Sequence, residues 1–171
     1  MNSIINAQKS YESINGYLIP KISLELELWS GKNIEDTYGN KKVINYKNQP
    51  VYAELYIVKT LKEKNINAVW VDNFRKNFRN ELPEINNGIE LPKIIKMKYD
   101  EIVSLNKTRN GCWDILTWDK ENQIHFYELK EIKKDKIRNT QIKWLQSCLE
   151  LGYTENNFTI VEWKIKSVKK T

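Results

Sequence analysis

Trp113-Asp114-Ile115-Leu116-Thr117-Trp118 and Ile124-His125-Phe126-Tyr127-Glu128-Leu129-Lys130, joined across the polar stretch Asp119-Lys120-Glu121-Asn122, decide how this chain is read. Alternate side chains of a strand leave on the same face, so residues two apart become neighbours. In the second segment Ile124, Phe126, Glu128 and Lys130 share one face, and His125, Tyr127 and Leu129 the other. The polar stretch supplies a hairpin connection. Pairing the two segments brings Asp114, which follows Gly111-Cys112-Trp113, beside the Glu128 and Lys130 end.

Two carboxylates and an amine so placed suit a hard divalent cation. Mg²⁺ keeps several waters and takes only one or two protein carboxylates besides substrate phosphate. Such an ion acidifies water and stabilises charge on a reacting phosphate. Lys130, two residues from the second acid, is expected to orient that water, to stabilise the charged transition state, or to act as base were its pKa depressed. Spacing alone leaves these three roles open.

A lysine-rich chain produces Glu-x-Lys easily, and the pattern recurs at Glu131/Lys133 and Glu162/Lys164. Glu131 has the opposite strand parity from Glu128 and enters the run Lys133-Lys134-Asp135-Lys136, which reads as a solvated exit. Glu162/Lys164 sits in an expected strand, Phe158 to Ile165, whose upstream acids fall in a charged loop or a helix. It reads as a surface pair.

Downstream, Asn139 to Gly152 places Trp144, Leu145, Cys148 and Leu151 at helical spacing, with Asn139 or Thr140 as N-cap and Gly152 as the stop. Gln141 falls at the N-terminal end of the same stripe. There its amide can bond the lysine, the attacking water, or a phosphate drawn to the helix end. The plainer alternative is a glutamine at the edge of an ordinary amphipathic helix.

The order Gly-x-x-Asp, strand, Glu-x-Lys, short basic loop, then Gln-x-x-Trp-Leu in a helix ending Leu-Gly resembles the PD-(D/E)XK nuclease superfamily, and within it the VRR-NUC type. The likeness is clearest from Gly111 to about Ile165. It implies an α/β, restriction-endonuclease-like core in the order αβββαβ, with a mixed central sheet flanked by helices. It implies Asp114, Glu128 and Lys130 as the catalytic trio, with Gln141 as their accompanying glutamine. Mg²⁺ or Mn²⁺ would be held by Asp114 and Glu128 with the carbonyl of Leu129. Trp113 stands where the family usually has proline, a position that is structural rather than chemical.

The family pattern also puts a glutamate on a helix upstream of the first core strand. Val51 to Lys62 reads as that helix, opened after Pro50, with Val51, Leu55, Val58 and Leu61 on a buried stripe. Glu54 lies beside the stripe, and the resemblance makes it an additional acidic ligand or an orienter of the water. A solvated acid on a helix face is the alternative. Asn67 to Asp72 is then the first core strand, and Asn73-Phe74-Arg75-Lys76-Asn77-Phe78-Arg79 interleaves aromatics with positive charge. Arg75, Lys76 and Arg79 are expected to neutralise phosphates while the rings stack on bases, against the default of Phe residues packing inward. Lys133, Lys134, Lys136 and Arg138 gather just after the two acids as a second basic contact.

Elsewhere, Ile22 to Trp29 alternates strictly, which favours a strand over a helix begun near Pro20. Gly31 to Asn48 reads as a loop or a pair of turns, and Leu91 to Leu105 as a helix or strand pair within an insertion near 75–110. With 171 residues, 40% hydrophobic composition and no evident linker, one domain over 1–171 is expected, with an N-terminal extension to about 50 and a core over about 51–165.

A formal charge of +6 suits a polyanionic partner. Two cysteines, Cys112 and Cys148, make no disulfide framework, and a single histidine, His125, supplies neither a Cys/His zinc set nor an obvious triad base. No secretory or membrane-length segment is visible, so a cytoplasmic protein away from membranes is expected. The combined expectation is a Mg²⁺- or Mn²⁺-dependent DNA endonuclease, with RNA left open as a substrate and a homodimer as the form that would cut both strands. Its rivals are a non-catalytic nucleic-acid-binding module on the same fold, and a structural protein whose basic surface serves solubility.

Overall fold

The computed structural model describes residues 10–35 and 38–167. Its centre is a seven-stranded mixed sheet with three helices against it. The strands in chain order are β1 (Ser10–Ile14), β2 (Tyr17–Leu26), β5 (Asn67–Asp72), β6 (Asn77–Arg79), β7 (Ile115–Trp118), β8 (Ile124–Glu131) and β9 (Phe158–Ile165), and they lie in the order β1-β2-β9-β8-β7-β5-β6. A separate hairpin holds β3 (Ile44–Tyr46) and β4 (Gln49–Val51). The helices are α1 (Ala53–Lys62), α2 (Lys93–Asn106) and α3 (Asn139–Glu150).

Strand parity sorts the sheet into two faces, each with its own core. On one side Ala68, Trp70, Ile115, Leu129 and Val161 meet Leu55, Val58 and Leu61 of α1, together with Ile22, Leu24 and Leu26 of β2. On the other, Val69, Val71, Leu116, Ile124, Phe126, Phe158 and Ile160 meet α2 through Ile95, Tyr99 and Ile102, and α3 through Trp144, Leu145 and Cys148. Every strand of the middle of the sheet is thus covered on both faces, which suits its near-continuous apolar sequence.

β5, β7 and β8 pair antiparallel, whereas β8 and β9 run parallel. A parallel neighbour needs a long crossover, and α3 lies within it. With β6 and α2, which lie between β5 and β7, set aside, the path α1, β5, β7, β8, α3, β9 runs helix, three antiparallel strands, helix, strand. The segment before residue 50 continues this sheet: β2 pairs parallel with β9 from Lys21↔Ile160 to Leu26↔Ile165, and β1 closes the edge.

Several boundaries depart from the sequence-based expectation. Val51, assigned to the α1 stripe, instead pairs with Ile44 in the small hairpin, so the helix opens two residues later. Lys47 and Asn48 form the two-residue turn of that hairpin with φ of 51° and 64°, the left-handed pair that matches strand twist; within the stretch expected as a loop or a pair of turns, Ile44–Tyr46 is a strand. Leu91 to Leu105 resolves as helix α2, and Ile22 to Trp29 as the end of β2 followed by a bridge from Leu28 to Ile44. Asn139 and Thr140 lie in the first turn of α3 rather than at its cap, which is Arg138.

Candidate active site

Asp114 lies one residue before β7, yet its position is set by three backbone contacts. Its carbonyl accepts the Val71 N–H at 2.7 Å, its Oδ2 accepts the Leu129 N–H at 2.9 Å, and its own N–H reaches Glu128 Oε2 at 3.3 Å. Asn73 Nδ2 adds a bond to the Cys112 carbonyl at 3.0 Å, tying the end of β5 to the same turn. Gly111 holds φ +85°, and a Cβ there would overlap the Thr140 carbonyl, so only glycine lets α3 start this close. The fully buried Trp113 donates its indole N–H to the Gln141 carbonyl at 3.2 Å, locking the first turn of α3 to the Asp114 strand.

Glu128 and Lys130 project on the α3 side of β8, as their parity predicts, and are 2% and 7% exposed. Lys130 Nζ lies 2.8 Å from Glu128 Oε1 and donates to Gln141 Oε1 at 3.1 Å. Gln141 Nε2 donates to Glu128 Oε1 at 2.6 Å, while its oxygen also accepts the Arg138 N–H at 2.9 Å. Asp114, Glu128, Lys130 and Gln141 line one cleft of about 510 Å³, along with Glu54, Leu129, Arg138 and Lys41.

Burial pushes the Asp114 carboxyl up from its ordinary value, and the charge of Glu54 adds to this. Burial likewise pushes Glu128 well up, reinforced by the charge of Asp114. Two buried acids that disfavour each other's ionisation are relieved by a cation, and their oxygens are donors that a hard divalent ion prefers. These residues fit Mg²⁺ or Mn²⁺ as a pair. Glu54 lines the same cleft and its charge acts on Asp114, while among the described residues no three His, Cys, Asp or Glu side chains form one cluster.

Glu54 is 7% exposed, a buried acid on α1 rather than a solvated one. Its partner, missed by sequence reasoning, is Lys41, whose ammonium forms an ion pair with Glu54 Oε1. Lys41 comes from the stretch before β3 and lies over the Trp70 ring at 5.2 Å and the Tyr52 ring at 6.0 Å. Burial alone would lower its pKa, but Glu54, then Asp114 and Asp72, raise it above the usual lysine value. Nothing periodic in Gly31 to Asn48 marks this lysine.

The basic residues divide. Lys133, Lys134, Lys136 and Arg138 lie exposed between β8 and α3, with Arg138 lining the cleft and Lys134 paired to Glu131 at 2.9 Å. Arg75 lies over the Tyr38 ring at 4.2 Å, and Lys76 is exposed in the β5–β6 turn. Arg79 does not serve as a surface phosphate contact: it is 2% exposed, its Nε bonds Asp72 Oδ2 at 2.8 Å, and its Nη1 bonds the Asn86 carbonyl at 3.0 Å. The β5–β6 pairing turns it inward beside a buried aspartate. Phe74, by contrast, points out at 82% exposure rather than into the core.

Of the competing Glu-x-Lys pairs, Glu162 is engaged with Lys21 at 3.2 Å and Lys164 with Glu25 at 2.8 Å, while Glu131 pairs with Lys42 and Lys134. His125, on the opposite face from Glu128, contacts Thr159 Oγ1 at 2.9 Å, and burial pulls its pKa down to about 4. Among the described residues no helix is long and apolar enough to cross a membrane. Comparison with family models, with curated proteins and with solved structures finds no match.

Proposed function

We propose that this chain is a Mg²⁺- or Mn²⁺-dependent DNA endonuclease, hydrolysing phosphodiester bonds with a PD-(D/E)XK-type site on a restriction-endonuclease-like core. The observation that carries the reading is the convergence of Asp114, Glu128, Lys130 and Gln141, drawn from β8, α3 and the approach to β7, in one cleft. The path helix, three strands, helix, strand supports it, as does the exposed basic loop 133–138 at the cleft's edge.

When bound, a divalent ion supplies Lewis-acid charge to the phosphate and acidifies water. The chain's own residues do the positioning. Asp114 and Glu128 present oxygens whose placement is fixed by the Leu129 N–H and the Gln141 amide. Lys130 offers three N–H donors, two of them directed at Glu128 and Gln141, which leaves one for a phosphate oxygen or the attacking water. Water forms the new P–O bond, and the departing ester oxygen takes up a proton. Arg138 and the lysines around it attract the backbone through its charge.

Incubation with linear, flapped and four-way DNA, and with matching RNA, tests the reading. Cleavage that needs Mg²⁺ or Mn²⁺ and is abolished by chelator, by Asp114→Asn and by Glu128→Gln is the expected result. Salt-dependent DNA binding with no turnover under any divalent metal would replace this reading with a non-catalytic binding module.

A further inference from the structure

Glu54 and Lys41 form a second charged pair in the cleft, and it does not resemble a metal ligand with a bystander. The Glu54 carboxylate is buried and already engaged by the Lys41 ammonium. The ammonium lies over the faces of Trp70 and Tyr52, which are themselves buried in the core and therefore rigid. Ring faces attract a cation and hold it without consuming its donors. An ammonium has three N–H groups, and Glu54 is the one hydrogen-bond acceptor for Lys41 among the described residues. Its side chain is about one-third exposed, on the cleft that Asp114 and Arg138 also line.

Two lysines thus serve the acids of one cleft: Lys41 pairs with Glu54, Lys130 pairs with Glu128, and Asp114 feels the charge of both. Two ammonium groups in one cleft, each paired to a different acid, suit an extended polyanion, because successive phosphates need separate counter-charges.

We propose that Lys41 is a substrate-contacting residue that binds a backbone phosphate of the nucleic acid, and that Glu54 is its positioning residue rather than a ligand of the metal. This rests on the nuclease reading and deepens it. A phosphate approaching Lys41 would meet N–H groups directed away from Glu54, so binding keeps the ion pair. Glu54 sets where the ammonium stands, and the Trp70 and Tyr52 rings set its height above the sheet.

The test measures binding of a fluorescein-labelled DNA duplex in the presence of chelator, across a salt series, with Mg²⁺ or Mn²⁺ binding to the free protein followed separately by calorimetry. Lys41→Met should weaken DNA binding roughly five- to ten-fold at 0.1 M salt and lower the slope of log affinity against log salt by about 0.9. Lys41→Arg should restore both. Glu54→Gln should weaken DNA binding in the same direction, add little on top of Lys41→Met, and leave metal binding at Asp114 and Glu128 intact. In cleavage, Lys41→Met should act on KM more than on kcat.

An unchanged salt slope in Lys41→Met, in a wild type that cuts DNA, overturns the proposal and leaves the nuclease reading standing. Loss of metal binding in Glu54→Gln with normal DNA binding overturns it as well, making Glu54 a ligand. A wild type that neither binds nor cuts nucleic acid removes both readings together.

Discussion

Gln141 bridges Glu128 and Lys130: its amide nitrogen donates to Glu128 Oε1 at 2.6 Å, and its amide oxygen accepts from Lys130 Nζ at 3.1 Å. The same oxygen accepts the Arg138 N–H, so one side chain couples the start of α3 to both charged groups of β8. Removing it leaves the buried Lys130 amine with Glu128 as its partner, and Glu128 with Lys130 and the Asp114 N–H.

Gln141→Leu is therefore expected to lower the cleavage rate about ten- to hundred-fold, as loss of a supporting contact to a metal-binding acid does. The unpaired Arg138 N–H and the weakened pair should also cost about 1–3 kcal/mol of stability. Urea unfolding and single-turnover cleavage measure the two effects separately, and a Leu variant with full activity would show that the bridge is incidental.

Asp114→Asn should abolish cleavage yet stabilise the metal-free protein at neutral pH, by about 1 kcal/mol, as removal of one of two repelling charges allows. The amide oxygen can still accept the Leu129 N–H. The sign follows from the raised carboxyl. A pKa above the ordinary 3.8 means that the folded state holds the proton more tightly than the unfolded one, so Asp114's contribution to stability falls as pH rises between those two values. The stability gap between wild type and Asp114→Asn should thus be small below the ordinary aspartate pKa and widen in favour of the variant toward neutral pH. Melting curves across that range check it, and a gap that shrinks with rising pH contradicts it.

Mg²⁺ or Mn²⁺ should stabilise the wild type, because an ion that binds only the folded state shifts the equilibrium by mass action. At a hundred times its Kd the gain is about 2.7 kcal/mol, or roughly 5–10 °C in Tm for a chain of this size. Asp114→Asn should lose most of this shift. Scanning calorimetry with and without chelator reads it directly.

Arg79 and Arg138 should separate cleanly although both are arginines in basic stretches. Arg79→Met leaves Asp72 buried without its guanidinium and is expected to cost about 3–5 kcal/mol. Arg138→Ala, exposed at the cleft, should change stability by less than about 0.5 kcal/mol and reduce the salt slope of DNA binding by about 0.9. A stable Arg79→Met with weakened DNA binding would return Arg79 to the interface.

The shared face of Glu128 and Lys130 was legible because strand parity is a local property, and so was the α3 stripe that carries Gln141 to them. Glu54 could be placed on a helix for the same reason. Its burial and its partner could not, since Lys41 lies on a stretch with no periodic pattern and reaches Glu54 from before the small hairpin. Arg79 was misread because its neighbours Arg75 and Lys76 made it look like part of a surface run. The β5–β6 register, pairing Trp70 with Arg79, decides that it turns inward toward Asp72.

From its order of residues alone, then, this chain determined which side chains share a strand face or a helix stripe, because those periods are set by backbone geometry over a few residues. Only the tertiary structure decided which charges meet: Lys41 with Glu54, Arg79 with Asp72, and Gln141 between Glu128 and Lys130. The physical reason is that an ion pair or buried hydrogen bond depends on separation and desolvation between segments remote in sequence, and neither exists until the sheet and its covering helices have closed around them.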